Sequence, residues 1–129
     1  MGPLRILIAD DNPLVRCGLR IIIERQAGWT VCGEAANGLD ALDQATRLKP
    51  DVILLDISMP KLDGLNALPL LREQVPDSDI VILTLLECID IARIAANAGA
   101  RAYVTKSLLM TDLVPTIEAL QHSGTSARS

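Results

Sequence analysis

The stretch Pro50-Asp-Val-Ile-Leu-Leu-Asp-Ile-Ser-Met-Pro60 decides the fold. It is a short, almost unbroken apolar run that closes on one carboxylate, Asp56. Bounded by prolines, such a run reads as a strand buried on both faces, as in a parallel sheet. Open parallel sheets take their ligands at the carboxyl ends of the strands, so Asp56 falls where chemistry is expected. Three more stretches share the pattern. Leu4-Arg-Ile-Leu-Ile-Ala-Asp-Asp11 ends in Asp10 and Asp11, Asp79-Ile-Val-Ile-Leu-Thr84 in a hydroxyl, and Ala100-Arg-Ala-Tyr-Val-Thr-Lys106 in an ammonium. If the strands are parallel, all these groups meet at one edge.

Between the strands lie helical patterns. Asn12 is an N-cap with Pro13 at the first helical position, and Gly28 stops the helix. A weaker strand, Trp29 to Glu34, belongs nearer a sheet edge. Asn37-Gly38 opens a second helix that ends before Pro50. Asp63 caps a third, but Pro69 removes a hydrogen bond inside it, so an irregular or late-starting helix is expected between about 65 and 75. A fourth runs from Glu87 to Ala98 and is closed by Gly99. A fifth runs from about Thr111, its cap, to Gln121. Residues 122–129 are small and polar and read as a linker or disordered tail, leaving 1–121 as one domain. Alternating strands and helices imply an α/β fold: a five-stranded parallel sheet with helices on both faces.

Composition narrows the classes. Half the residues are hydrophobic but only 2% are aromatic, so the core is aliphatic, as suits such a sheet. The formal charge of −4 and the lack of a basic run argue against nucleic-acid binding by these residues. No apolar stretch is long enough for a membrane span and no signal sequence is present, so a cytoplasmic protein is expected. Cys17, Cys32 and Cys88 match no metal spacing and read as reduced and mostly buried. Nothing basic adjoins Cys88 in sequence to lower its pKa, which favours a packed thiol over a redox sensor.

Three carboxylates at strand ends can bind a hard divalent cation such as Mg²⁺, or one can be a nucleophile while the others hold the metal. With a lysine and a threonine nearby, the set suits phosphoryl transfer onto a carboxylate. No Ser-His-Asp set exists, since the lone His122 lies in the tail.

Several motifs run in order over roughly residues 4–121: Ala9-Asp10-Asp11-Asn12-Pro13, Gly33-Glu34-Ala35-Ala36-Asn37-Gly38, Leu54-Leu55-Asp56-Ile57-Ser58-Met59-Pro60, Asp63-Gly64, Thr84, Ala98-Gly99-Ala100 and Tyr103-Val-Thr-Lys106. This set resembles the receiver domain of bacterial two-component response regulators. The resemblance is nearest to the NarL/LuxR type, whose C-terminal helix-turn-helix DNA-binding domain is not among these residues. It implies a flavodoxin-like (βα)5 fold with strand order 2-1-3-4-5. It makes Asp56 the phosphoacceptor. Mg²⁺ would be held by Asp10, Asp11, Asp56 and the backbone carbonyl of Ser58. Lys106 and Thr84 would contact the phosphoryl group, and Thr84 and Tyr103 would act as the switch pair. The switching surface would comprise the fourth helix, fifth strand and fifth helix. The partners implied are a sensor histidine kinase and a second copy on activation, with DNA reached only through a separate domain.

Departures from the family pattern are Asn12, where this subfamily often has His, and Leu85 after Thr84, where a smaller residue is usual. A bulky Leu85 would narrow access to Asp56. Ser58 and Leu86 fall at positions that tune acyl-phosphate lifetime in the family. A phosphorylation-independent interaction module, controlled by a ligand or partner, is the alternative. A phosphatase acting on external substrates is poorly supported, because the chain has no insert to form a lid and offers no obvious general acid.

Overall fold

In the computed structural model, residues 2–85 and 89–128 are described, with side chains described as far as Gln121. Five strands, β1 (Leu4–Ala9), β2 (Trp29–Ala35), β3 (Val52–Asp56), β4 (Asp79–Thr84) and β5 (Ala102–Thr105), form one parallel sheet in the order β2-β1-β3-β4-β5. Between them lie α1 (Pro13–Glu24), α2 (Gly38–Leu48), α3 (Gly64–Gln74) and α4 (Ile89–Asn97), and α5 (Leu109–Arg128) follows β5. This is the flavodoxin-like topology expected from the sequence.

Strand side chains alternate between two aliphatic layers. Leu7, Ala9, Ile53, Leu55, Ile80 and Ile82 face α2, α3 and α4. Ile6, Ile8, Val52, Leu54, Val81 and Leu83 face α1 and α5, packing on Leu19, Ile23, Leu113 and Ile117. Every residue of β3 and β4 is buried, which is why both read as continuous apolar runs. β2 is an edge strand and mostly half-buried, in keeping with its weaker pattern.

The helix starts follow their caps. Asn12 accepts the amide of Leu14, Asn37 that of Asp40 and Asp63 that of Asn66. Several expectations about helices need correction. Despite Pro69, α3 begins directly after Asp63, with the Ala67 amide bonded to the Asp63 carbonyl. Its cap and the burial of Ala67, Leu68 and Leu71 outweigh the roughly 3 kcal/mol that an interior proline costs. Thr111 is not the cap of α5. A 3₁₀ turn, Lys106–Leu108, leads into a helix starting at Leu109, and the Thr111 hydroxyl donates to the Leu108 carbonyl. The helix also passes Gln121 and reaches Arg128. No proline interrupts that segment, and each added residue of a nucleated helix gains a hydrogen bond.

Cys17 is exposed on α1 and Cys32 half-buried on β2, so neither is the buried thiol expected. α1 ends at Glu24 rather than at Gly28, which instead takes a positive φ of 80° in the turn before β2. The expected start of α4 at Glu87, together with Leu86 and Cys88, lies outside the described residues. No helix among the described residues is long and apolar enough to cross a membrane.

Gly64 is the tightest junction beside Asp56. Its amide donates to the Ile57 carbonyl, and a Cβ here would strike the Asp56 carbonyl oxygen and come within 2.7 Å of the Ile57 Cα. Helix propensity alone favours alanine by about 1 kcal/mol. Overpacking costs about 1–3 kcal/mol, more when backbone must move. Gly64→Ala is therefore expected to lower stability by about 1–2 kcal/mol in urea unfolding. A gain in stability would show that the junction is looser than this geometry requires.

Candidate functional site

Sheet register brings the polar strand ends together. Ala9 pairs with Leu55, so the following residues, Asp10 and Asp56, lie side by side on neighbouring strands. Asp56 pairs with Leu83, one residue before Thr84, and Thr84 pairs with Thr105, one residue before Lys106. β1 and β3 flank the point where strand order reverses, the usual ligand crevice of an open parallel sheet.

Asp10 is fully buried and Asp56 nearly so, whereas Asp11 is exposed. Lys106 reaches between the two buried carboxylates, its Nζ 2.7 Å from Asp10 Oδ2 and 3.3 Å from Asp56 Oδ2. The other oxygens accept backbone amides, Asp10 Oδ1 from Asn12 at 2.9 Å and Asp56 Oδ1 from Ser58 at 3.2 Å. Burial pushes the Asp56 pKa above the usual carboxylate value, and Asp10 adds to the rise; the Ser58 amide and Lys106 oppose it without cancelling it. For Lys106, burial disfavours the charged form, but the pairing with Asp10 and Asp56 prevails and its pKa is raised.

One oxygen from each of Asp10, Asp11 and Asp56 lies within 4.8 Å of the others. Octahedral Mg²⁺ holds oxygens at about 2.0–2.1 Å, so a trans pair lies about 4.2 Å apart. The trio is compatible with such an ion, and Asp11 is its solvent-exposed member. The formal charges are compatible as well, three carboxylates less one ammonium against a divalent cation. A cleft of about 430 Å³ opens over the cluster, lined by Asp11, Asp56, Ser58, Thr84, Leu85 and Lys106 among others. Leu85 stands on its rim with its side chain largely in solvent. It lines the same cleft as Asp56, at the place where its size bears on access.

Thr84 is buried at the strand end inside this group. Tyr103 is not part of it. It lines a separate, mostly apolar cleft with Ile89, Ala92 and Ala96 of α4. Sequence reasoning missed Arg16, whose Nη1 donates to the Asp10 carbonyl at 2.7 Å. It also missed Val15 and Ile91, which line the cleft over Asp56. An apolar position on a helical face gives no sign that it borders a site rather than a core.

A family model described as the response regulator receiver domain matches residues 6–118. The chain belongs to this receiver family. It is 40% identical over 116 residues to YxjL of Bacillus subtilis, described as an uncharacterized transcriptional regulatory protein, covering 90% of this chain and 53% of that one. A LuxR-family two-component response regulator from Aurantimonas matches the receiver fold with a TM-score of 0.89 at 35% identity, covering 95% of this chain and 87% of that one. The signal receiver domain of a NarL response regulator from Mycobacterium tuberculosis matches with a TM-score of 0.85 at 26% identity, covering 97% and 98% of the two chains. This receiver spans about half the length of the curated relatives it matches. The NarL/LuxR likeness read from the motifs therefore holds, and with it the general role of a receiver, a phosphorylation-controlled signalling switch.

The raised Asp56 pKa has a consequence for stability. A carboxyl with a higher pKa in the folded state favours folding while protonated. That contribution is present below the usual carboxylate pKa and is lost as pH rises through the folded-state value. Without added cations, Asp56→Asn is expected to stabilise the receiver at neutral pH. The gain should shrink as pH falls into the usual carboxylate range, as read by urea unfolding at both pH values. An equal gain at both would remove ionisation of Asp56 as its cause.

Proposed function

We propose that this receiver takes a phosphoryl group from the phosphohistidine of a sensor histidine kinase onto Asp56, and that the modification controls an attached transcriptional output. An Asp56 carboxylate oxygen attacks phosphorus, the phosphorus–nitrogen bond breaks, and the imidazole of the kinase leaves. Mg²⁺, held by Asp10, Asp11, Asp56 and the Ser58 carbonyl, would neutralise charge on the phosphoryl oxygens. Lys106 pairs with another of these oxygens, and Thr84 hydrogen-bonds a third. The receiver acts only on its own aspartate, in forming the acyl phosphate and in hydrolysing it.

The observation that carries this reading is the placement of Asp56. It is desolvated, faces an open cleft, and is held between an ammonium and a carboxylate group suited to a divalent cation. After phosphorylation, Thr84 moves toward the new group and Tyr103 changes rotamer beside α4. The surface of α4, β5 and α5 then changes, shifting an existing inactive–active equilibrium. In this reading residues 1–121 are the switch and 122–129 lead out of it. Activation promotes a homodimer in the cytoplasm, and DNA is contacted only through a further domain.

Intact-protein mass spectrometry after incubation with acetyl phosphate tests the proposal. One phosphoryl adduct is expected with Mg²⁺, and none without Mg²⁺ or in Asp56→Asn. Labelling that persists in Asp56→Asn would move the acceptor elsewhere. No labelling of the wild-type chain, with a known receiver labelled in parallel, would sink the phosphoacceptor role.

A further inference from the structure

The Gly33-Glu34-Ala35 motif takes no part in the chemistry above, yet Glu34 is the hub of a charged group with two arginines. Its Oε1 accepts Arg16 Nε at 3.2 Å, and its Oε2 accepts Arg20 Nε and Nη2 at 2.8 and 2.6 Å. Its own carbonyl accepts Gln44 Nε2 at 2.7 Å, which ties α2 to β2. Arg16 extends this group toward the acidic cluster, because the same guanidinium donates through Nη1 to the Asp10 carbonyl at 2.7 Å. Its side chain is only 20% exposed.

The Asp10 carbonyl matters because of peptide planarity. It lies in one rigid plane with the amide and Cα of Asp11. Fixing its direction therefore fixes where the Asp11 Cα sits, and Asp11 is the exposed member of the carboxylate trio. Arg16 bears on the carbonyl of this plane, whereas the other contacts act on the Asp10 amide and side chain. Asp10 is anchored by its own amide to the Ala35 carbonyl, and its side chain by the Asn12 amide and Lys106. We propose that Arg16, braced by Glu34, is a positioning residue that sets the Asp10–Asp11 peptide and so tunes the affinity of the cation site. This rests on the reading of Asp10, Asp11 and Asp56 as the Mg²⁺ site.

Electrostatics and positioning predict opposite signs. Arg16 is a cation close to a cation site, so loss of its charge alone would tighten Mg²⁺ binding. Loss of its hold on the Asp10 carbonyl leaves a buried acceptor unpaired, and the peptide is free to turn and carry Asp11 away. Groups that orient metal ligands typically contribute tenfold or more to affinity. Arg20 supplies the control. It carries the same charge and braces the same Glu34, but its hydrogen bonds go only to Glu34 and Glu24.

The experiment is calorimetric titration of Mg²⁺ into the full chain and into Arg16→Met, Arg16→Lys, Arg20→Met and Asp11→Ala. Arg16→Met is expected to weaken binding about tenfold. Arg16→Lys should fall in between, since one ammonium cannot serve both acceptors with the geometry of a guanidinium fork. It also keeps the question answerable if Arg16→Met does not fold. Arg20→Met should bind as the parent does or tighter, and phosphoryl labelling of the Arg16 variants should recover at saturating Mg²⁺. Unchanged or tighter binding in both Arg16 variants, with Asp11→Ala weakened, would overturn the positioning role and leave the metal site standing. A parent chain that binds no Mg²⁺, or binds it as well as Asp11→Ala does, would remove the metal site and the inference together.

Discussion

The Lys106 ammonium between two buried carboxylates is the contact on which the site depends. Asp10 and Asp56 are brought side by side by strand register, and the charge of Asp10 opposes ionisation of Asp56. Burial sharpens the conflict, since neither carboxylate can be screened well by solvent. Lys106 relieves it from the end of β5, a strand of only four residues at the edge of the sheet. The arrangement therefore requires four strands, β1, β3, β4 and β5, to agree in register. A one-residue slip of β5 would send the ammonium to the other face and leave two desolvated carboxylates facing one another.

Everything beneath that edge serves to hold the register. Strands β3 and β4 are buried throughout and locked between two aliphatic layers. β-branched and leucine side chains fill both layers with little conformational latitude, so the strand ends behave as a rigid platform. The loops above them are then pinned individually. Gly64 is pressed against the backbone of Asp56, Asn12 turns its amide onto Asp10, and Arg16 holds the Asp10 carbonyl. Lys106 reaches back from the 3₁₀ turn that leads into α5. The platform is built by hydrophobic burial, whereas the site is built by hydrogen bonds to backbone groups.

This division explains what the sequence displays. Apolar runs that stop at Asp10, Asp56, Thr84 and Lys106 announce both the strands and the edge where they end, because burial writes itself into composition. Caps at Asn12, Asn37 and Asp63 are equally plain, since a short polar side chain before an apolar period has few other uses. Pro69 misleads because its penalty is local, while the packing of Leu68 and Leu71 that overrides it is not. Thr111 misleads because a 3₁₀ turn supplies the start of α5 without a side-chain cap. Cys17 was assigned to the interior by residue type alone, although its place on α1 is outward. Helical spacing alone places Arg16 on the polar face of α1. Its partners are a carboxylate on another element and a main-chain oxygen, and neither is visible from helical spacing. The ordered motifs located the cluster, but Tyr103 stands apart from it, against α4.

The aliphatic core has one more consequence, for how the molecule responds to light. The chain holds one tryptophan, one tyrosine and no phenylalanine. Trp29 opens β2 and pairs with Leu4 at the start of β1, at the end of the sheet opposite the carboxylates. Tyr103 sits in β5 beside the apolar cleft of α4. The two chromophores thus divide the molecule between them. The indole lies at the sheet end away from Asp56, and the phenol on the flank beside α4. The two chromophores of the unlabelled chain therefore sit on the two edge strands of the sheet and sample different surroundings.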